Sequence, residues 1–208
     1  MFYILNIMKI FFIRHGLAGH NVGFNLVGES AYFDPKYFDA LLESEGENQA
    51  QNAGLKLLNI KFDSIYCSPS KRCIQTLDNL LSTTKVIIDS AFKAPKNEFI
   101  ILDDRLMEPQ GFHIPNKRHE KVQVEKFVTN FNKKFDLTKV ALNYEFNKES
   151  KQQVNNRIKE FINELKLRHN DDVNLLIVTH YDWLNHFFHL YFNKDVGFDN
   201  CEIKMVEI

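Results

Sequence analysis

The chain has 208 residues, 44% of them hydrophobic and 25% charged, with a formal net charge of −1. That length accommodates a single domain, residues 1–208, with a substantial core, and the near-zero charge argues against a global basic field for nucleic acid or an anionic membrane. Its three cysteines, Cys67, Cys73 and Cys201, form no C-x-x-C pair, which speaks against a disulfide framework and for a reducing, cytoplasmic setting.

Met1 to Ile13 is rich in apolar residues, but Asn6 and Lys9 interrupt it well short of a spanning length. Without a basic flank or a small-residue cleavage site it reads as a first strand with a short leader, Met8 being an alternative start. No other segment approaches the length of a transmembrane helix. Lys9 to Ile13 has the apolar content of a strand buried on both faces, and polarity switches abruptly at Arg14-His15-Gly16. Residues just past the carboxyl end of such a strand are where α/β folds place their chemistry. An arginine beside a histidine, with a glycine that lets the backbone turn closely, suits an anion pocket holding a nucleophile. The plainer alternative is a strand end with two solvated polar residues.

Val22 to Tyr37, with Gly23, Gly28, Pro35 and several aromatics, reads as a long loop over that site. Ser44-Glu45-Gly46-Glu47 then opens a helix in which Ala50, Ala53, Leu57 and Leu58 recur at helical spacing. Phe62 to Cys67 predicts a strand that stops at Ser68-Pro69, and a helix follows with Ser70 as its N-cap. Val86-Ile87-Ile88 and Phe99 to Leu102 are short strand candidates, with a break at Ala94 to Asn97 and a loop from Asp103 to Gly111. Helices are expected over Glu120–Phe131 and Lys151–Leu167, the second ended by Asn170-Asp171-Asp172. The clearest strand is Val173 to Thr179, followed by His180, a helix from Asp182 to Phe192 and a last strand over Ile203–Ile208. Strands alternating with helices imply a three-layer α/β/α sandwich around a mostly parallel sheet.

Such a sheet aligns its carboxyl ends, so Arg14 and His15, Arg72 past Ser68-Pro69, His180, and Glu108 on a fourth loop can converge. Arginine matches phosphate through a planar, permanently charged fork of donors, and such a pocket stabilises charge spread over phosphoryl oxygens. These residues resemble the histidine phosphatase superfamily, also called phosphoglycerate mutase-like. The resemblance rests on Arg14-His15-Gly16 with Asn21, on Ser68-Pro69-x-x-Arg72-x-x-Gln75-Thr76, on Arg105-Leu106-x-Glu108 with Gly111, and on Val178-Thr179-His180. Asp39-x-x-Leu42 with Gly46 and Gln49 extends it, and all the segments fall in the family's order.

The resemblance implies a phosphatase in which His15 is the nucleophile and forms a phosphohistidine. It gives Arg14, Arg72 and His180 the phosphoryl oxygens, Asn21 an accessory donor role, and Glu108 the role of general acid and base. A small phosphorylated substrate is implied, with no metal and no organic cofactor. Leu17-Ala18 and Pro109-Gln110 depart from the glycolytic mutases, and Ala18 with Tyr181 departs from the acid-phosphatase and phytase branch. The Gly19-His20-Asn21 turn is closer to the broadly acting phosphatases of branch one. Phosphoryl transfer as in a mutase, or a non-catalytic phospholigand-binding protein, are the alternatives.

His186 and His189 sit at helical spacing, yet no further carboxylate or cysteine completes a zinc set, and the helix surface is their expected place. Cys67 and Cys73 are expected as small buried hydrophobes. Phe24, Tyr32, Phe33, Tyr37 and Phe38 either line a substrate cleft or pack a loop onto the core. Lys117-Arg118-His119 either reach for an anionic substrate or form a solvated charge run.

Overall fold

The computed structural model describes residues 7–87, 99–145, 147–169 and 172–208. Among them β1 (Met8–Arg14), β2 (Ser64–Cys67), β3 (Phe99–Asp103), β4 (Lys134–Lys139), β5 (Val173–Thr179) and β6 (Ile203–Glu207) form one sheet. Its spatial order is β4-β3-β2-β5-β1-β6. All neighbours are parallel except β6, which runs antiparallel to β1 at the edge. Arg14 pairs with Thr179, and Cys67 lies opposite both Val178 and Leu102, so the carboxyl ends of four strands line up on one edge.

The helices are α1 (Gly19–Val27), α2 (Ser44–Lys56), α3 (Lys71–Ile87), α4 (Lys121–Val128), α5 (Lys151–Arg168) and α6 (Tyr181–Phe192). The inner strands β1, β2, β3 and β5 are predominantly apolar because both faces are covered. Ile10, Phe12, Leu175 and Ile177 point to α5 and α6, where Ile158, Phe161, Trp183 and Phe187 await them. The alternate residues Ile13, Leu176 and Val178 point to the other face, against Ala50 and Ala53 of α2, Leu77 of α3 and Val124 of α4. The three-layer α/β/α sandwich is thus the observed fold. Each fully buried Leu, Ile or Phe contributes about 1.5–3 kcal/mol to holding it.

Four expectations are corrected. Val22 to Tyr37 is no loop: it continues α1 and then makes 3-10 turns over Gly28–Phe33 and Pro35–Tyr37. Only His20 and Gly23 of α1 are buried, so the helix carries no apolar stripe to announce itself. Gly23 is packed so closely that a Cβ there would lie 2.4 Å from the Tyr37 hydroxyl. Val86 and Ile87 belong to α3 rather than to a strand, while Ile88, the break at Ala94–Asn97 and Asn170-Asp171 fall outside the described residues. The edge strand β4 was unexpected, since its Lys-Phe-Asp-Leu-Thr-Lys sequence has no buried side chain. Ser70 does precede α3, but Asp39 Oδ1 takes the Lys71 N–H at 2.9 Å from another segment, and the Ser70 hydroxyl turns toward His180. No helix among the described residues is long and apolar enough to cross a membrane.

Candidate active site

The ladder between β1 and β5 continues one step past Arg14, where His15 N–H donates to Thr179 O at 3.0 Å. This seats the His15 ring on the carboxyl edge, almost fully buried. Its Nδ1 lies 2.8 Å from Gly16 O. A carbonyl only accepts, so Nδ1 carries the proton and Nε2 keeps its lone pair. Burial, then the charges of Arg72 and Arg14, push the pKa of His15 well below the usual 6.5. A neutral imidazole with a free Nε2 is the nucleophilic form.

The turn after His15 is clamped from three directions. Gly16 N–H donates to Thr76 Oγ1 (3.0 Å), whose hydroxyl donates to Arg72 O (2.7 Å), and Leu17 N–H donates to Gln49 Oε1 (3.0 Å). A Cβ on Gly16 would sit 2.5 Å from Gly46 O, and one on Gly46 would sit 2.1 Å from Leu17 O. Backbone packed on backbone at this distance admits only glycine.

Arg72, on the first turn of α3, is buried, with Nη1 donating to Pro115 O (2.7 Å) and Nη2 to His180 Nδ1 (3.0 Å). His180 therefore accepts at Nδ1, and its Nε2–H donates to Ser68 Oγ at 2.8 Å. Burial and the Arg72 charge also lower the His180 pKa well below 6.5. The rings of His15 and His180 meet edge to face at 5.3 Å. Arg14 donates through Nη1 to Phe198 O at 2.7 Å and lies over the Tyr181 ring, 5.0 Å from its centroid. The buried Nε atoms of Arg14 and Arg72 have no partner. Among the described residues neither arginine pairs with a carboxylate. Two guanidinium groups held together without counter-charge are costly unless an anion joins them.

Glu108 is buried at the amino end of α6. Its Oε1 accepts from Asp182 N–H (3.1 Å) and its Oε2 lies 3.4 Å from Trp183 N. Burial first, and then the Asp182 charge, raise its pKa to about 8, outweighing those backbone bonds and Arg72. At neutral pH Glu108 is therefore a carboxylic acid with a proton to give. Its loop is braced by Thr179 Oγ1 on Leu106 O (2.7 Å) and by Trp183 Nε1 and Arg157 Nη1 on Arg105 O (2.7 Å each).

Arg14, His15, Arg72, His180 and Glu108 are thus brought to one edge. Asn21 lies beside them, but its Oδ1 accepts from Ala18 N–H (3.0 Å) at the start of α1, and its Nδ2 donates to His20 Nε2 (3.2 Å). That leaves a proton on His20 Nδ1, which is buried and without a partner. The His20 ring is 5.8 Å from His15, and its pKa is pushed well below 6.5 by burial and the charges of Arg72 and Arg14. Sequence reasoning noted His20 only as part of the Gly19-His20-Asn21 turn and did not place it in the pocket as a third histidine. Arg118 answers neither expectation: it is buried and grips Asp104 through Nε and Nη2, both at 2.7 Å. His119 Nε2 is 2.9 Å from Lys71 Nζ. His186 Nδ1 lies against Asn155 Oδ1 (2.9 Å) and His189 Nδ1 against Asp195 Oδ1 (3.3 Å). Cys67 and Cys73 are buried, as expected of small hydrophobes.

A parallel α/β sheet with two uncompensated arginines, a neutral histidine and a protonated carboxyl on its carboxyl edge defines a protein that handles oxyanions. The model of the histidine phosphatase superfamily (branch 1) matches residues 10–208, and the chain belongs to that family. A broad-specificity phosphatase of Saccharomyces cerevisiae is 37% identical over 82 residues, which cover 38% of this chain and 32% of that protein's length. The fold is shared with phosphoglycerate mutase from Bacillus anthracis, at TM-score 0.65 and 19% identity, covering 98% of this chain and 88% of that one. It is shared as well with the ecdysone phosphate phosphatase of Bombix mori, at TM-score 0.60 and 15% identity over 95% and 88%.

Proposed function

We propose that the protein hydrolyses a phosphomonoester through a phosphohistidine on His15. The observation that carries this is the pairing of a free, neutral His15 Nε2 with buried Arg72 and half-buried Arg14, neither of which forms an ion pair with a carboxylate among the described residues. In the first half-reaction Nε2 attacks phosphorus, the phosphorus–ester oxygen bond breaks, and Glu108 delivers its proton to the departing oxygen. Nδ1–H stays on Gly16 O and disperses the positive charge that forms on the ring. In the second, water attacks phosphorus, the phosphorus–nitrogen bond breaks, and Glu108, now a carboxylate, takes the water's proton.

Arg14 and Arg72 hold the phosphoryl oxygens, with the Nδ2 of Asn21 and the unpartnered His20 Nδ1–H as further donors. His180 buttresses Arg72 by accepting at Nδ1, which fixes the guanidinium for the phosphoryl oxygens. The phosphatase names among the relatives support hydrolysis. So do Leu17-Ala18 and Pro109-Gln110, which differ from the glycolytic mutases.

The test is hydrolysis of p-nitrophenyl phosphate in the presence of EDTA, wild type against His15→Ala. Turnover in the wild type and its loss in the variant are expected, together with acid-labile radiolabel trapped on the wild-type protein from a phosphorylated substrate. Activity that persists without His15 would sink the mechanism.

A further inference from the structure

The proposed hydrolysis fixes which side of the phosphoryl group the alcohol must occupy, because Glu108 has to reach its oxygen. Tyr32 borders the pocket: its ring lies 6.4 Å from that of His20, which is itself 5.8 Å from the His15 ring. Tyr32 is also the inner ring of an aromatic wall. It stacks on Phe24 (centroids 5.2 Å apart, 21° between planes) and on His113 (4.7 Å, 28°), and Phe33 meets His113 edge-on at 5.7 Å.

Two segments build this wall, α1 with its following 3-10 turn and the loop that runs on from Glu108. The acid and the rings are therefore carried partly by the same stretch of chain. Phe24 and Phe33 remain 40% and 55% exposed, so ring surface is left open beside the pocket. Exposed aromatic surface bordering a cluster of polar and charged groups is the composition of a ligand site.

Charge narrows the class of ligand. Glu29 opens the 3-10 turn that carries Tyr32, and Asp182 stands beside Glu108 at the start of α6, where its N–H donates to the Glu108 carboxyl. The arginines of the acid loop and of α5 are already engaged, Arg105 with Asp103, Arg118 with Asp104 and Arg157 with Glu149. An alcohol bearing a carboxylate or a second phosphate would meet acids here rather than one of those arginines. We propose that the substrate's alcohol is uncharged and carries an aromatic ring, seated on the Tyr32, His113 and Phe33 wall next to Glu108. This rests on the phosphomonoesterase reading above.

The experiment compares kcat/KM for benzyl phosphate, glycerol 3-phosphate and 3-phosphoglycerate. All three leave as primary alcohols, so their intrinsic reactivity is close and the pocket decides between them. The wild type should favour benzyl phosphate over glycerol 3-phosphate by about tenfold or more, a range a ring or a few methylenes in an apolar site can supply, and 3-phosphoglycerate should be the poorest. In Tyr32→Leu, His113→Ala and Phe33→Ala that ratio should shrink several-fold. His113 and Phe33 are exposed, so their variants keep the test sharp even if Tyr32→Leu folds poorly. A wild-type ratio near one, a preference for 3-phosphoglycerate, or a ratio unmoved in the variants overturns the inference and leaves hydrolysis standing. A wild type that turns over none of the three overturns the phosphomonoesterase reading and this inference with it.

Discussion

Glu108 shows how far one residue's chemistry depends on distant neighbours. The Arg105-Leu106-x-Glu108 string was legible in the sequence, but the protonation state was not, because it is set by burial against α6 and by Asp182, 74 positions further on. With the pKa at about 8, the acid is lost as pH rises through that value, while His15 stays neutral well below pH 6.5. The pH profile of kcat/KM, corrected for ionisation of the substrate phosphate near pH 6, should therefore fall on the alkaline side near 8. Stability follows the same sign. Between 4.5 and about 8 the folded chain holds a proton on Glu108 that the unfolded chain has released, so stability declines as pH rises across that window. From pH 4.5 to pH 7 the loss is about 3 kcal/mol. Glu108→Gln should flatten that decline, be the more stable protein at pH 7 and lose about 10²–10⁴-fold in kcat. Denaturant melts at several pH values read the first two effects, and parallel curves for both proteins would refute the assignment.

At the scale of elements, what the sequence showed best was apolar periodicity. The buried stripe Val154, Ile158, Phe161, Ile162 and Leu165 located α5, and Leu175 to Val178 located β5. What it hid were elements held by other forces. α1 is fixed by its caps and by Gly23 against Tyr37, and β4 is held by one parallel neighbour with no buried side chain. Part of the family-like string is scaffolding: Asp39 caps α3, Gln49 holds Leu17 N–H, and Gly46 lets α2 press on the turn after His15. Gly46→Ala makes the last role measurable. Its Cβ would fall 2.1 Å from a backbone oxygen of Leu17 that no rotamer change can clear. The strain should cost about 1–3 kcal/mol of stability and shift His15, lowering turnover beyond what the folded fraction explains. A variant as stable and as active as the wild type would show that the turn yields freely.

For the whole molecule, the parallel sheet turns residues scattered along the chain into one pocket, and it does so by accepting uncompensated positive charge. His180 bonds Arg72 across 108 positions and Ser68 across 112. The sequence order of the motifs foretold this meeting, because strand ends of a parallel sheet share an edge. It did not foretell that Arg72 would be buried with its Nε unpartnered and, among the described residues, no carboxylate in an ion pair with it, which only the packed structure reveals. Such a site should be strongly linked to oxyanion binding, since a ligand that binds only the folded state adds RT ln(1 + [L]/Kd) to stability. At a tungstate concentration of a hundred times Kd this is about 2.7 kcal/mol, or a rise of roughly 5–10 °C in Tm for a chain of this size. Arg72→Met keeps most of the side-chain volume and removes the charge, so its Tm should not respond to tungstate, whatever its own baseline. If the variant's Tm rises in step with the wild type's, the oxyanion is binding somewhere other than the carboxyl edge, and the pocket described here is not the one that holds phosphate.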